Sequence, residues 1–253
     1  MQKRIAIIGT GYVGLTTGVC LASVGHRVTC VDVVPERVAA IEKGQAPFYE
    51  PRLAELLTAE RASGRLAATT KLDEAVAAAD ITFIAVGTPQ SERGIDLSHV
   101  REAARQIGTV LRSASGYRAV VVKSTVVPGT TETLVRQMLE ESSGRRAGEF
   151  GLCMNPEFLR EGSAIDDFLN PDRIVIGQWD ERSGQALAEI YQPFECPKIF
   201  TTPSNAEMMK YASNALLATL ISFINEIAGL CETTPHTDVR AVLQGVQLDR
   251  RLT

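Results

Sequence analysis

Residues 4–32 read Arg4-Ile5-Ala6-Ile7-Ile8-Gly9-Thr10-Gly11-Tyr12-Val13-Gly14-Leu15-Thr16-Thr17-Gly18-Val19-Cys20-Leu21-Ala22-Ser23-Val24-Gly25-His26-Arg27-Val28-Thr29-Cys30-Val31-Asp32. A β-branched run (Arg4–Ile8), a glycine-rich turn, a helix-length apolar segment (Tyr12–Val24) and a second β-branched run (Arg27–Val31) follow one another, and the unit closes on a carboxylate. The turn is GxGxxG, a weak signal as a bare hexapeptide. Here it follows a strand and opens a helix, and Asp32 stands about twenty residues beyond the glycines, which is the context a dinucleotide site requires. Gly9 permits the tight turn, Gly11 lets the backbone approach a pyrophosphate, and Gly14 lets the helix pack close to the strand. The free N–H groups and dipole of the helix start favour the phosphates. Asp32 accepts ribose hydroxyls and repels a 2′-phosphate, so the expected cofactor is NAD. Arg37, just beyond Pro35, would cover the adenine face, although it would also tolerate a 2′-phosphate. Expected cofactor contacts here are Gly9, Gly11, Tyr12, Val13, Gly14, Asp32 and Arg37.

The same stretch has a competing reading. Lys3 and Arg4 precede a long apolar run ending near Leu21-Ala22-Ser23, as in a signal peptide. The glycines at 9, 11, 14 and 18 interrupt that run, and a second strand follows directly, so the nucleotide-site reading is preferred.

Working outward, strand-like runs at Leu66–Thr69, Ile81–Val86, Ala119–Lys123, Phe150–Met154 and Arg173–Ile176 alternate with helical stretches at Pro51–Ser63, Asp73–Ala79, Leu97–Ser113 and Thr130–Glu140. Near-continuous apolar strands such as Ile-Thr-Phe-Ile-Ala-Val require a sheet covered on both faces. The alternation predicts an α/β fold with a doubly wound, mostly parallel Rossmann-like sheet. Ligands bind outside the carboxyl ends of such strands, which makes Gly87, Thr88 and Pro89, and Ser124 and Thr125, further candidates to meet the cofactor.

The 253 residues suffice for a full core, and 45% hydrophobic with 22% charged content is ordinary for a globular chain. A net charge of -4 with no long basic run argues against nucleic acid. Cys20, Cys30, Cys153, Cys196 and Cys231 lack metal-ligand spacing, and no metal site is expected. An odd, scattered cysteine count suits a reducing cytoplasm.

After Pro203 the character changes. Ser204-Asn205-Ala206-Glu207 reads as a capping box, and a long helix follows to about Cys231, apolar on most faces. Lys210, Asn214, Asn225 and Glu226 interrupt it, which argues against a bilayer span. A helix buried between domains or subunits is expected instead. The division expected is a dinucleotide-binding domain over residues 1–202, then, over 203–253, a connecting helix and the start of a helical central domain.

Asn155-Pro156-Glu157-Phe158-Leu159-Arg160-Glu161-Gly162, with Asn170-Pro171-Asp172-Arg173 downstream, resembles the UDP-glucose 6-dehydrogenases of the UDP-glucose/GDP-mannose dehydrogenase family. Tyr49-Glu50-Pro51, Val122-Lys123-Ser124-Thr125-Val126, and Ala206-Glu207 with Lys210-Tyr211 and Asn214-Ala215 match in the same order. GDP-mannose dehydrogenases share the Asn-Pro-Glu-Phe-Leu core, and UDP-N-acetylmannosamine dehydrogenases are more distant. The resemblance implies oxidation of a sugar C6 alcohol to a carboxylate with two NAD reduced per sugar, through a thiohemiacetal and a thioester. It implies that Glu157 positions or deprotonates water, that Thr125 helps hold that water, and that Glu161 lies near the nicotinamide. Lys210 and Asn214, four residues apart on one helix face, would stabilise oxyanions. Glu157, Phe158, Leu159, Arg160, Lys210 and Asn214 would bind UDP-glucose.

The family's nucleophilic cysteine lies beyond Gly245-Val246-Gln247-Leu248-Asp249-Arg250-Arg251, and none of the five cysteines is assigned that role. Residues 1–253 are therefore expected to bind NAD without completing the oxidation. A homodimer through the long helix is also expected. Three alternatives stay open: a non-catalytic NAD-binding or dimerisation module; a related GDP-mannose or UDP-N-acetylmannosamine dehydrogenase; and a single-step hydroxyacid dehydrogenase with a lysine base, which leaves Asn155–Gly162 unexplained.

Overall fold

The computed structural model describes residues 2–91 and 94–250, so Arg251, quoted above, lies outside the described residues. The chain divides into two units, Met1–Met208 and Met209–Thr253.

In the first unit the reading of residues 4–32 becomes β1 (Arg4–Ile8), α1 (Tyr12–Ser23) and β2 (Arg27–Val31). The chain continues through α2 (Pro35–Glu42), α3 (Leu53–Ala62), β3 (Leu66–Thr69), α4 (Leu72–Ala78) and β4 (Ile81–Ile84). A two-stranded hairpin, β5 (Gln90–Ser91) and β6 (Gly94–Ile95), precedes α5 (Ser98–Leu111) and β7 (Ala119–Val122). One π-helical stretch, Thr131–Val135, leads into α6 (Arg136–Ser143) and β8 (Gly151–Met154). Then come α7 (Ala164–Leu169), β9 (Ile174–Gln178), α8 (Glu181–Ile190), β10 (Lys198–Thr201) and α9 (Pro203–Thr233), whose later turns belong to the second unit with α10 (Val239–Gln247).

The main sheet has the order β10-β9-β8-β7-β4-β1-β2-β3. All neighbours are parallel except β8 and β9, where Met154 pairs with Gly177 in antiparallel register. The reversal is consequential: the start of β9 comes to the same edge as the end of β8. Ile81, Thr82, Phe83 and Ile84 are all buried, as are Ala119 to Val122, because helices cover both faces. Each large aliphatic side chain so removed from water contributes about 1.5–3 kcal/mol. From β1 the chain winds outward through β2 and β3 on one side and β4, β7 and β8 on the other. The sheet therefore has its topological switch between β1 and β4.

The end of the first unit departs from expectation at one point. Ser204 and Glu207 do not form a capping box. Their side chains reach other segments of the chain: Ser204 Oγ donates to Glu132, and buried Glu207 accepts from the N–H of Gly129 at 2.5 Å and the N–H of Thr131 at 2.8 Å. Two free amides at the head of the π-helical stretch hold the carboxylate more strongly than the backbone of its own helix start would.

In the second unit Leu216, Leu217, Leu220, Ile221, Phe223 and Leu230 are exposed in the single chain. By length and composition alone α9 is long and apolar enough to cross a membrane, and Lys210, Asn214, Asn225 and Glu226 lie within it. In α10, Asp238 caps the first turn by accepting from the N–H of Ala241 at 2.9 Å.

Candidate functional site

The loops that leave the carboxyl ends of β1, β2, β4, β7 and β8, with the first turns of α1 and α2 that follow two of them, carry the candidate cofactor and substrate residues of the first unit. The glycine turn shows a division of labour. Gly9 has φ of +99°, and a Cβ there would stand 2.7 Å from the carbonyl oxygen of Ala85. A Cβ on Gly14 would lie 2.0 Å from the carbonyl oxygen of Gly9, so α1 sits as close to β1 as the fold permits. A Cβ on Gly11 would meet nothing within 4 Å. The protein itself requires glycine at 9 and 14 but leaves the space above Gly11 open, and α1 starts there with no side-chain cap. An uncapped helix start with open space above it suits a phosphate group.

Asp32 follows β2 and is 6% exposed. One carboxylate oxygen accepts from Thr10 N–H at 2.9 Å, Thr10 Oγ1 at 2.5 Å and the Arg37 guanidinium at 3.0 Å, and the other accepts from Val34 N–H at 3.0 Å. Burial alone would raise this carboxyl, but the donors from Thr10, Val34 and Arg37 outweigh it and hold it below its ordinary value. The group is therefore a fixed anion at the end of β2. Arg37, the residue expected over an adenine, pairs with Asp32.

The loops after β4 and β7 are stitched together. Ser124 Oγ donates to Val86 O at 2.6 Å, and Thr88 Oγ1 donates to Thr125 O at 2.8 Å. These hydroxyls, read from the sequence as cofactor contacts, fix the backbone of Gly87, Pro89 and Thr125. Tyr12 and Val13 are half-buried at the start of α1.

The loop after β8 begins in a buried polar network. Asn155 Oδ1 accepts from Lys123 Nζ at 3.0 Å and from Tyr191 Oη at 2.6 Å, while its amide donates to Val175 O at 2.8 Å. Asn155 thereby joins β7, β8, β9 and α8. Beyond it, Glu157 accepts from Leu159 N–H at 2.7 Å, and Glu157, Phe158 and Leu159 are half-buried. Arg173 lies over the Phe158 ring at 4.2 Å, an outcome of the antiparallel β9. Arg160 is exposed and forks onto Asp167 at 2.6 and 3.1 Å, and Glu161 is exposed at the tip.

Lys210 and Asn214 belong to the second unit, one turn apart on α9. Asn214 is exposed and Lys210 is 6% exposed.

Thr10, Glu50, Asn155 and Tyr191 are placed by the structure in or beneath these loops without having been assigned a role from the sequence. Glu50 is 4% exposed and accepts from Tyr12 Oη at 2.5 Å and from the N–H groups of Gly162 and Ala164, both at 2.9 Å. Its signal was its place in Tyr49-Glu50-Pro51: a carboxylate beside proline, short of a helix.

Cys20, Cys30 and Cys153 are buried, and burial pushes each thiol up to about 12. Such groups are core packing, not nucleophiles.

Residues 3–195 match the NAD binding domain of the UDP-glucose/GDP-mannose dehydrogenase family, and residues 204–253 match that family's central domain. A UDP-glucose 6-dehydrogenase of Bacillus subtilis is 46% identical over 252 residues, covering 99% of this chain and 53% of that protein. Among solved structures, a ternary complex of GDP-mannose dehydrogenase from Pseudomonas aeruginosa superposes with a TM-score of 0.94 at 41% identity, over 97% of this chain and 57% of that one. A UDP-glucose dehydrogenase from Pyrobaculum islandicum superposes with a TM-score of 0.93 at 45% identity, over 99% and 58%. The chain spans about half the length of the relatives it matches.

Proposed function

The chain belongs to the UDP-glucose/GDP-mannose dehydrogenase family, and from that premise we propose that it serves the NAD-dependent oxidation of UDP-glucose to UDP-glucuronate. The observation that carries the proposal is the arrangement at the sheet's switch point. Glycine is enforced at 9 and 14, the space above Gly11 is open at an uncapped helix start, and Asp32 is an anion at the end of β2.

NAD, when bound, supplies the hydride acceptor for both oxidation steps. Gly9, Gly11, Tyr12, Val13 and Gly14 seat its pyrophosphate. Asp32 accepts from the ribose hydroxyls, and Arg37 swings from Asp32 toward the adenine. Gly87, Thr88, Pro89, Ser124, Thr125 and Glu161 line the rest of the cofactor path. Glu157 orders or deprotonates water with help from Thr125, and the half-buried loop Glu157-Phe158-Leu159-Arg160 takes the sugar. Lys210 and Asn214 bind the substrate and stabilise oxyanions formed at C6. Capture of the aldehyde as a thiohemiacetal needs a reactive thiolate, which Cys20, Cys30 and Cys153 do not supply.

Residues 1–202 are proposed as the NAD-binding domain, and 203–253 as a connecting helix and the start of a central domain. The exposed apolar side chains of α9 are proposed to close a homodimer. The reaction is proposed to run in the cytoplasm, without a nucleic acid or membrane partner. GDP-mannose is the second reading, supported by the equally close fit to a GDP-mannose dehydrogenase.

A chimera tests the proposal: residues 1–253 joined to the part of the Bacillus subtilis relative that they do not match. Two NADH per UDP-glucose and none from GDP-mannose is the expected result. Turnover of GDP-mannose alone would move the assignment to the second reading.

A further inference from the structure

Glu50 is a buried carboxylate that touches both the glycine-turn helix and the loop after β8. Its Oε2 accepts from Tyr12 Oη at 2.5 Å and from Gly162 N–H at 2.9 Å, and its Oε1 accepts from Ala164 N–H at 2.9 Å. The same tyrosine hydroxyl lies 3.4 Å from the carbonyl oxygen of Arg160, and its ring packs on Phe48 with centroids 5.3 Å apart. Tyr12 is the first residue of α1, directly after the open Gly11. A phosphate seated above Gly11 therefore bears on the backbone whose side chain holds Glu50, and Glu50 holds the turn from Arg160 to Ala164.

We propose that the Tyr12–Glu50 pair couples cofactor occupancy at the glycine turn to order in the 160–164 segment, with Glu50 as a positioning residue for the sugar-binding loop. The inference rests on the reading that NAD seats at Gly11. Its chemistry suits a rigid link. Burial and the neighbouring Glu50 hold the Tyr12 hydroxyl above the ordinary phenol range, so it remains a donor. Burial would raise the Glu50 carboxyl, but its donors Tyr12, Gly162 and Ala164 outweigh that and hold it below its ordinary value. A neutral donor on an ionised acceptor is the strong, directional form of the bond. The surrounding contacts add restraint on the loop side only: Arg160 N–H and guanidinium both bind Asp167, and Arg52 pairs with Asp166. Without the Tyr12 hydroxyl the loop keeps its own fastenings and loses the hydrogen bond that ties Glu50 to the first residue of α1.

The test is hydrogen exchange at residues 157–164 of the 253-residue chain, with and without NAD, beside an NAD titration. In the unmodified chain NAD should slow exchange of the Gly162 and Ala164 amides by about tenfold or more. In Glu50→Gln, which keeps one accepting oxygen and touches none of the phosphate-facing backbone, NAD should still bind within about fivefold of the original Kd, while the NAD-dependent slowing falls below about threefold. Tyr12→Phe, which removes the donor to Glu50, should give the same loss of NAD-dependent slowing. A purely structural role would speed exchange equally in both states and leave the NAD-dependent difference intact, which would overturn the proposal. NAD binding with no slowing in the unmodified chain would overturn the coupling but spare the cofactor reading. Absence of NAD binding would overturn both.

Discussion

Gly11→Ala and Gly14→Ala are chemically identical substitutions three residues apart, and the structure assigns them opposite phenotypes. At Gly14 the new methyl would stand 2.0 Å from Gly9 O and 3.2 Å from Ala85 Cβ, both fixed by the core. Neither a turn with φ of +99° at Gly9 nor the α1 backbone yields easily. The overpacking should cost about 2–3 kcal/mol or more, which lowers Tm by about 4–12 °C for a chain of this size. At Gly11 the methyl meets nothing, and the small loss of an N-cap glycine is offset by a less flexible unfolded chain, so Tm should move by about 2 °C at most. NAD binding should reverse the order. In Gly11→Ala the methyl occupies the open space a pyrophosphate needs, and affinity should fall about 30-fold or more, equivalent to about 2 kcal/mol. Thermal unfolding and calorimetric titration of both variants decide the matter. Equal Tm losses, or undiminished NAD affinity in Gly11→Ala, would refute the assignment of Gly11 to the ligand and Gly14 to the fold.

Other consequences are as direct. His26 Nδ1 accepts from Lys3 N–H at 3.2 Å, so Nε2 carries the proton and donates to Ile190 O at 3.0 Å. Burial lowers its pKa, so the unfolded chain binds more protons just below pH 6.5 and stability should fall as pH drops through the folded pKa. His26→Gln should flatten that decline in Tm against pH, by no more than about 1.4 kcal/mol per pH unit. Glu207→Ala leaves the amides of Gly129 and Thr131 unpaired in a buried site and should cost about 2–4 kcal/mol in denaturant unfolding; a loss below about 0.5 kcal/mol would contradict its role as a clamp. Leu217→Glu with Ile221→Glu should convert a dimer to monomer in sedimentation without lowering NAD affinity, and an unchanged sedimentation coefficient would remove α9 as the interface.

The parts of this fold legible in the sequence are those where one physical signal dominates. Arg4–Ile8, Tyr12–Ser23 and Arg27–Val31 combine β-branched runs, a glycine turn and a terminal carboxylate, and the structure reproduces them almost to the residue. The strand Lys198–Thr201 and the helix Ala164–Leu169 are too short for their periodicity to stand out. Antiparallel β9 was invisible because local pattern does not report the direction of a neighbour. The Ser204–Glu207 box failed for a related reason: the motif specifies a local bond, and amides distant in sequence outcompete it. At the site, Gly9, Gly14 and Asp32 announce themselves by spacing. Glu50 and the Asn155–Lys123–Tyr191 network depend on contacts between distant segments and become visible only in three dimensions.

The account centres on a dinucleotide seated above Gly11 with its adenosine ribose against Asp32. The most direct measurement is the ratio of NADP to NAD dissociation constants for the unmodified chain and for Asp32→Asn. The account predicts NAD preferred by about 100-fold or more, with Asp32→Asn weakening NAD and shrinking the preference about tenfold, because a repelling anion next to the 2′-position has been removed. Equal affinity for the two cofactors in the unmodified chain, or a preference untouched by Asp32→Asn, would contradict it.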